Sequence, residues 1–326
     1  MNLQRRNLVL TGLSMGLTGP SLWAQSNWPD KPIRVISAGS SGGSSDIFVR
    51  IIENRMKDKL GQSLYIDNKP GAGGMTAAGL ASVAPPNGLT LFVSNLATNA
   101  IGVSLYSKPT FNPQKDLPPV ARLVTMTNAV AVRTDSGIHN MQQLMAILKS
   151  DRKKTFYGSA GIGTSSHLTG HMFGKAMGAD LTHVPYKGTA ANLNALLAGE
   201  VLFCIDNLPV YTSHVKAGTL RLLAVTQAQR LSSLPDIPTV QEAAGLTGFD
   251  VFSWFGLSAS TGTPPAILER LGAEVVATLK EPEIAEKIRA VGAEPAPLGP
   301  NEYKNFISEE VRKWSTIVKS SGATAD

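Results

Sequence analysis

The chain has 326 residues, of which 43% are hydrophobic and 17% charged, with a formal charge of +6. That length can bury two cores. No window reaches the roughly 18 uninterrupted apolar residues of a membrane span, and the basic residues are scattered, with Arg152-Lys153-Lys154 the only short run, which argues against a nucleic-acid surface. Cys204 is the only cysteine, so an internal disulfide is excluded; within the apolar run VLFCID it reads as core rather than catalyst.

The N-terminus carries Arg5 and Arg6, then a short apolar stretch from Leu8 to Trp23 broken by Pro20. This predicts an export signal over 1–25, with Ala24 as the candidate cleavage residue. The arginine pair also fits twin-arginine export, and the general secretory route is the preferred reading. Beyond it, strand-like runs alternate with helix-like runs. Strands are predicted at 32–38, 63–67, 89–94, 118–133 in two pieces, 155–158, 181–184, 201–206, 220–226 and 250–259. Helices are predicted at 46–60, 74–84, 140–150, 165–177, 188–198, 208–217, 264–279, 282–291 and 300–320, with a frayed tail from Ser320. Such alternation predicts α/β architecture with parallel sheets, whose ligands sit beyond the carboxyl ends of the strands.

Three glycine-rich loops fall at those ends: AGSSGGSSD from Ala38, NKPGAGGM from Asn68 and YGSAGIGTSSH from Tyr157. A fourth junction, VPYKGTAAN from Val184, has one glycine with Lys187 and Thr189. Glycines let backbone amides turn towards a bound group, and a helix start favours negative charge there. None of the loops is a nucleotide P-loop or a complete dinucleotide fingerprint, and no cofactor or metal motif is found.

The first loop also fits G-x-S-x-G at Gly39, Ser41 and Gly43, so Ser41 has two readings: a nucleophile on an elbow, which would make an exported serine hydrolase, or part of an anion cradle. The first strand has no earlier strand loop to supply a second oxyanion amide, and none of the five histidines stands on a late loop of its own after an Asp. His167 and His171, one turn apart, read as a capping contact and a partly buried ring, because no Glu follows the first His as in a metalloprotease.

The segments SGGSSDIFVR, LGQSLYIDNKPGAGG and APPNGLTLFVSN, followed by YGSAGIGTSSHLTGHMF, VPYKGTAANLNALLAGEV, DIPTVQEAAG and GTPPAILERL, resemble the Bug or TctC family. These are the periplasmic binding proteins of tripartite tricarboxylate transport systems. The resemblance spans essentially the whole mature chain. It implies a two-lobed, type II-like periplasmic binding fold with a ligand cleft between the lobes. It places lobe 1 at 28–125 plus 250–326 and lobe 2 at 126–249, with crossings near 123–128 and 246–252. It implies a monomeric, non-catalytic receptor for a small carboxylate, membrane permease subunits as partners, and no cofactor. An orphan sensor for a signalling partner would share the same ligand physics.

Carried over by position, the first-lobe site candidates are Ser41, Gly42, Gly43, Asn95 and Thr98, with Asp46 beside them. The second-lobe candidates are Gly163, Thr164, Ser165, His167, Tyr186, Lys187, Gly188, Thr189 and Asp206. Many members have Pro-Gly-Gly where this chain has Ser41-Gly42-Gly43, so a rigid proline is lost and hydroxyls are gained. Asp46 reads as a helix N-cap, Lys187 as either a contact or a solvated loop residue, and NKPGAGG as a stiffener outside the cleft. Trp254 and Phe255 read as core or hinge packing. Asp206 has three readings: a cap for a helix from Leu208, a protonated donor to the ligand, or an acceptor from a ligand ammonium or hydroxyl.

Overall fold

The computed structural model describes residues 28–106, 111–150 and 155–325. The export-signal reading and the Arg152-Lys153-Lys154 run lie outside them. The first half of the fold begins β1 (Ile33–Ser37), α1 (Ser44–Leu60), β2 (Leu64–Asn68), α2 (Met75–Ser82) and β3 (Thr90–Asn95). A π-helical turn (Ala97–Ile101) and the short α3 (Gly102–Leu105) and α4 (Pro113–Asp116) lead to β4 (Pro119–Arg133). The middle comprises α5 (Met141–Ser150), β5 (Phe156–Ser159), α6 (Ser165–Met177), β6 (Thr182–Pro185), α7 (Thr189–Ala198) and β7 (Phe203–Asn207). It continues with α8 (Thr212–Lys216), β8 (Leu220–Val225) and α9 (Val240–Ala244). The chain closes with β9 (Phe252–Ala259), α10 (Pro265–Leu279), α11 (Pro282–Ala290), β10 (Ala293–Leu298) and α12 (Pro300–Ser321).

The strand order is β2-β1-β3-β9-β4-β7-β5-β6, with β8 and β10 each pairing with β4. Strands β2, β1 and β3 run parallel on one side, and β6, β5 and β7 run parallel on the other. The antiparallel strand β4 belongs to both. Up to Thr127 it pairs with β9, and from Asn128 it pairs with β7 while Ala129–Arg133 also pair with β8. The sequence reading took 118–133 as two pieces; the polar pair Thr127-Asn128 falls where the strand changes partners. The strand runs through with the pair bonded to neighbouring segments: Thr127 Oγ1 accepts from Thr226 N at 3.1 Å and Asn128 Nδ2 donates to Thr169 Oγ1 at 3.1 Å, while Asn128 Oδ1 is buried without a partner among the described residues. Val251 N bonds Thr226 O at 2.9 Å just before β9 re-enters the first side. Both strand crossings are therefore tied to Thr226. The result is a two-lobed α/β molecule with a cleft where the two sets of parallel strands end.

Three further differences from the sequence reading have local causes. Strand β10 pairs antiparallel with β4 but was not anticipated, because Pro295 and Pro297 argue against an interior strand; it pairs only with β4, and its register slips after Pro295. The 208–217 helix resolves into a 3-10 turn, Leu208–Val210, and α8. The tail does not fray at Ser320: α12 continues to Ser321, Gly322 closes it with φ 66°, and Ala323 and Ala325 pack against the core. Trp254, fully buried, anchors α12 to the sheet; its Nε1 and that of Trp314 both donate to Glu310 Oε2, at 3.0 and 3.3 Å.

Candidate ligand site

A cavity of about 440 Å³ opens where the parallel strands of both lobes end. β1 delivers Ala38 and Gly39 to its wall, β3 delivers Asn95, β5 delivers Ala160 and Gly161, and β7 delivers Asp206 and Asn207. Placement at carboxyl strand ends is what parallel α/β topology dictates. The starts of three helices meet there, through Ser44 and Ser45 of α1, Ser165 and Ser166 of α6, and Thr189 of α7. Their free amides give the wall a partial positive charge without a guanidinium. Among the described residues Lys187, at the exposed rim, is the only lysine or arginine on the wall.

The first loop is shifted relative to its sequence reading. α1 begins at Ser44, with Gly43 as its N-cap. Asp46 is therefore the third helical residue rather than the cap. It reaches back, accepting from Gly42 N at 3.1 Å, and pairs with Arg50 Nε at 2.9 Å. Ser41 and Gly42 are exposed and off the cavity wall, while Gly43 is buried behind it with its amide bonded to Ser40 O at 3.0 Å. Among the described residues no hydrogen bond joins Ser41 to a histidine. The serines of this segment that line the cavity are Ser44 and Ser45. Ser45 Oγ is held by Ser37 Oγ at 2.8 Å, whereas Ser44 is 1% exposed and its Oγ has no protein partner. The helix-start run Ser44-Ser45-Asp46 was the available signal for these two residues.

The third loop separates its candidates by role. Thr164 is the N-cap of α6; its Oγ1 donates to Gly161 O at 2.7 Å and accepts from His167 N at 3.4 Å. Ser165, beside it on the wall, makes no side-chain hydrogen bond among the described residues and is 6% exposed. Gly163 and His167 stand behind the wall: Gly163 N donates to His167 Nδ1 at 3.2 Å, and the His167 ring stacks on His183 at 4.0 Å. Burial lowers both imidazoles, to about 4 for His167 and about 3 for His183. Thr98 is fully buried off the wall, its hydroxyl donating to Asn99 Oδ1 at 2.7 Å, while Asn95 reaches the cavity and caps Thr98 N at 3.1 Å.

At the fourth junction Tyr186, Lys187, Gly188 and Thr189 all line the cavity. Burial, and then a hydrogen bond to Glu200, raise the Tyr186 phenol to about 12. Thr189 Oγ1 accepts from Ser44 N at 3.2 Å, a bond that crosses from one lobe to the other. The NKPGAGG loop, read as lying outside the cleft, instead lines it through Gly71 to Gly74. Ala72, Gly73 and Gly74 all have positive φ, and this folds the loop back over the cavity until Tyr106 Oη donates to Ala72 O at 2.7 Å. Phe255 also lines the wall, whereas Trp254 stays in the core.

Asp206 is 1% exposed on the cavity wall. It caps neither following helix, since Asn207 and Tyr211 occupy those cap positions. Its Oδ2 accepts from Asn192 Nδ2 at 2.7 Å and its Oδ1 from Asn207 N at 2.8 Å. Burial raises the carboxyl to about 6 against those two bonds. Cys204, two residues earlier on the same face of β7, is fully buried, and burial pushes its thiol up.

Two lobes hinged by crossing strands, with helix starts converging on a cavity between them, define a solute-binding protein of the periplasmic type. The chain matches the tripartite tricarboxylate transporter family receptor (TctC) model over residues 48–323, and it belongs to that family. It is 31% identical over 319 residues to the UPF0065 protein of the tcbD-tcbE intergenic region of Pseudomonas sp. (strain P51), covering 97% of this chain and 94% of that one. Its fold is similar to that of R. palustris Rpa4515 with adipate, with TM-score 0.88 and 32% identity over 91% of this chain and 99% of that chain. It is also similar to MatC from Rhodopseudomonas palustris with bound malate, with TM-score 0.83 and 30% identity over 89% of this chain and 100% of that chain.

Proposed function

We propose that this protein is a non-catalytic periplasmic receptor that closes its lobes on a small organic acid and passes it to the permease of a tripartite transporter. The observation that carries the reading is the convergence of three helix starts from both lobes on one cavity of about 440 Å³, with the buried Ser44 hydroxyl unpartnered. That volume suits a small ligand, and the donor set suits a carboxylate held by amides and hydroxyls. The adipate and malate of the two R. palustris structures are acids of this kind. The lobes divide, in this reading, at Thr127–Asn128 and again at Val251–Phe252.

The test is a thermal-shift screen of mono-, di- and tricarboxylates followed by calorimetry. A bound acid at 100 times its dissociation constant adds about 2.7 kcal/mol of stability, binds one to one and is recovered unchanged. Absence of any stabilising acid, or recovery of a chemically altered one, contradicts the receptor.

A further inference from the structure

The cavity has a second, acceptor-rich face, opposite in character to the helix starts. Asp206 lies there, 99% removed from solvent yet facing the cavity, and among the described residues no Lys, Arg or His pairs with it. An ionised carboxylate offers about four acceptor positions, and the protein fills two of them, with Asn192 Nδ2 and Asn207 N. Beside it Asn207, 5% exposed and on the same wall, leaves its Oδ1 without a partner. A buried charge without a counter-ion and a buried amide oxygen without a donor are both costly unless something enters to pair with them.

The position of this face is fixed relative to the anion-binding side. Asn192, which holds Asp206, is three residues beyond Thr189, the first residue of α7, which bonds the α1 start through Ser44 N. Three residues rise roughly 4.5 Å along a helix. A carboxylate held at the α7 start would then stand about one helical turn from the Asn192–Asp206 pair, a gap that a donor on its second or third carbon would span. Resting on the receptor reading above, we infer that the ligand is an acid carrying an ammonium or hydroxyl donor on one of the first two carbons beyond its carboxylate, and that Asp206, with Asn207, selects it. A second carboxylate at that position would face an ionised Asp206 in a dry cavity, and the pair would have to take up a proton to coexist.

The other titratable groups around Asp206 leave this choice to the ligand. Cys204 and Tyr211, buried behind it, are both pushed up by burial and stay neutral. Tyr186 is also pushed up, and Lys187 is exposed at the rim of the same cavity. Ionisation of Asp206 is centred on about 6 in the empty protein. A donor ligand stabilises the carboxylate, so its binding near pH 6 releases protons and at pH 8 exchanges none. A second carboxylate does the reverse and takes one up.

The experiment is calorimetry on the full mature protein with matched pairs: aspartate and malate against succinate, glutamate against glutarate, and 3-hydroxybutyrate against butyrate. Each is run at pH 6 and pH 8 in two buffers of different ionisation enthalpy to count protons. The inference expects the donor-bearing member of the best-binding pair to bind at least tenfold tighter at pH 8 without proton uptake. The amino and hydroxy arms tell which donor is preferred. Asp206→Asn should bring the two members within about twofold, and should the variant not fold, the wild-type ratio and proton count decide alone. A deoxy acid that binds as tightly as its partner, or one that binds with uptake of a proton, overturns the inference and leaves the receptor standing. If none of these acids nor any in the wider screen binds, the receptor reading falls and takes the inference with it.

Discussion

Replacing Gly73 by alanine should weaken ligand binding by acting on lobe closure. Gly73 sits at φ 59° and ψ 15° in the loop after β2, and a Cβ there would lie 2.5 Å from Ile162 O, on the opposite lobe's loop between β5 and α6. Two costs follow, and they fall on different states. Alanine in a left-handed conformation costs about 1–2 kcal/mol in any state of the protein. The contact with a backbone oxygen exists only when the lobes meet, and overpacking of this kind costs about 1–3 kcal/mol. Only the second cost enters the binding equilibrium, so affinity should fall between roughly 5- and 150-fold, at a tenfold change per 1.4 kcal/mol. Gly137→Ala serves as the control: Gly137 has φ 75° with open space where its Cβ would lie, so it carries the backbone cost alone. Gly163→Ala, off the cavity wall, would meet Leu105 Cδ2 of the other lobe at 2.2 Å and separates wedging from ligand contact. Calorimetry with the best acid from the screen gives the affinity, and small-angle scattering gives the change in radius on binding. Wild-type affinity and undiminished compaction in Gly73→Ala would refute closure through this contact.

Ser44→Ala should lower acid affinity by about fivefold, on the order of 1 kcal/mol for one buried hydroxyl donor, while Ser41→Ala should change it less than twofold; calorimetric values in the opposite order would return the site to the outer loop. Glu310→Leu leaves the buried indole N–H groups of Trp254 and Trp314 unpaired and should cost about 2–4 kcal/mol in urea unfolding, whereas Glu310→Gln keeps an acceptor oxygen and should cost about half as much. The native state keeps His167 and His183 neutral down to about 4 and about 3, whereas the unfolded chain protonates them near 6.5. The unfolded state thus binds more protons below that pH, and stability should fall as pH drops from 6.5 towards 4. Asp206, raised to about 6, acts in the opposite sense, since the native state holds its proton between pH 4 and 6 while the unfolded state has lost it. Asp206→Asn should therefore steepen the acid-side loss in urea midpoints; a shallower slope would contradict the assignment.

The alternation of strands and helices was legible in the sequence because it rests on apolar periodicity, and most elements begin within two residues of their predicted positions. The site was legible only as far as local signals reach. Thr164 announces the start of α6 with a side chain, and Ser165 follows it onto the wall. α1 starts at a glycine, which has no side chain to announce a cap, so the acidic residue Asp46 drew the predicted start two residues late. The hydroxyls at the cavity were accordingly sought at Ser41 rather than at Ser44. The NKPGAGG turn was recognisable as a turn, but nothing local tells on which side of the lobe it falls. That depends on four successive positive-φ residues, Gly71 to Gly74, and on an opposite loop some 90 residues away in sequence. Contacts between lobes, such as Ser44 with Thr189, have no period and no motif. Thr189 and Asp206, which both line the cavity, were legible from their places at a strand-to-helix junction and at a strand's carboxyl end as well as from the family resemblance.

The chemistry of the wall bears on what a transport receptor must do, which is to hold an acid and then let it go. A buried arginine would hold a carboxylate strongly from one lobe alone, and the ion pair would persist as the lobes part. Here the donors are partial charges from helix starts on both lobes, each modest on its own. The bond between Ser44 N and Thr189 Oγ1 and the close approaches of Gly73 to Ile162 and Gly188 to Ser40 exist only while the lobes meet. In the proposed receptor, separating the lobes would take away the donors of one lobe at once, together with the contacts that stabilise closure. On that reading affinity is a property of the closed arrangement, and a membrane partner that pulled the lobes apart would need no competing charge to release the ligand.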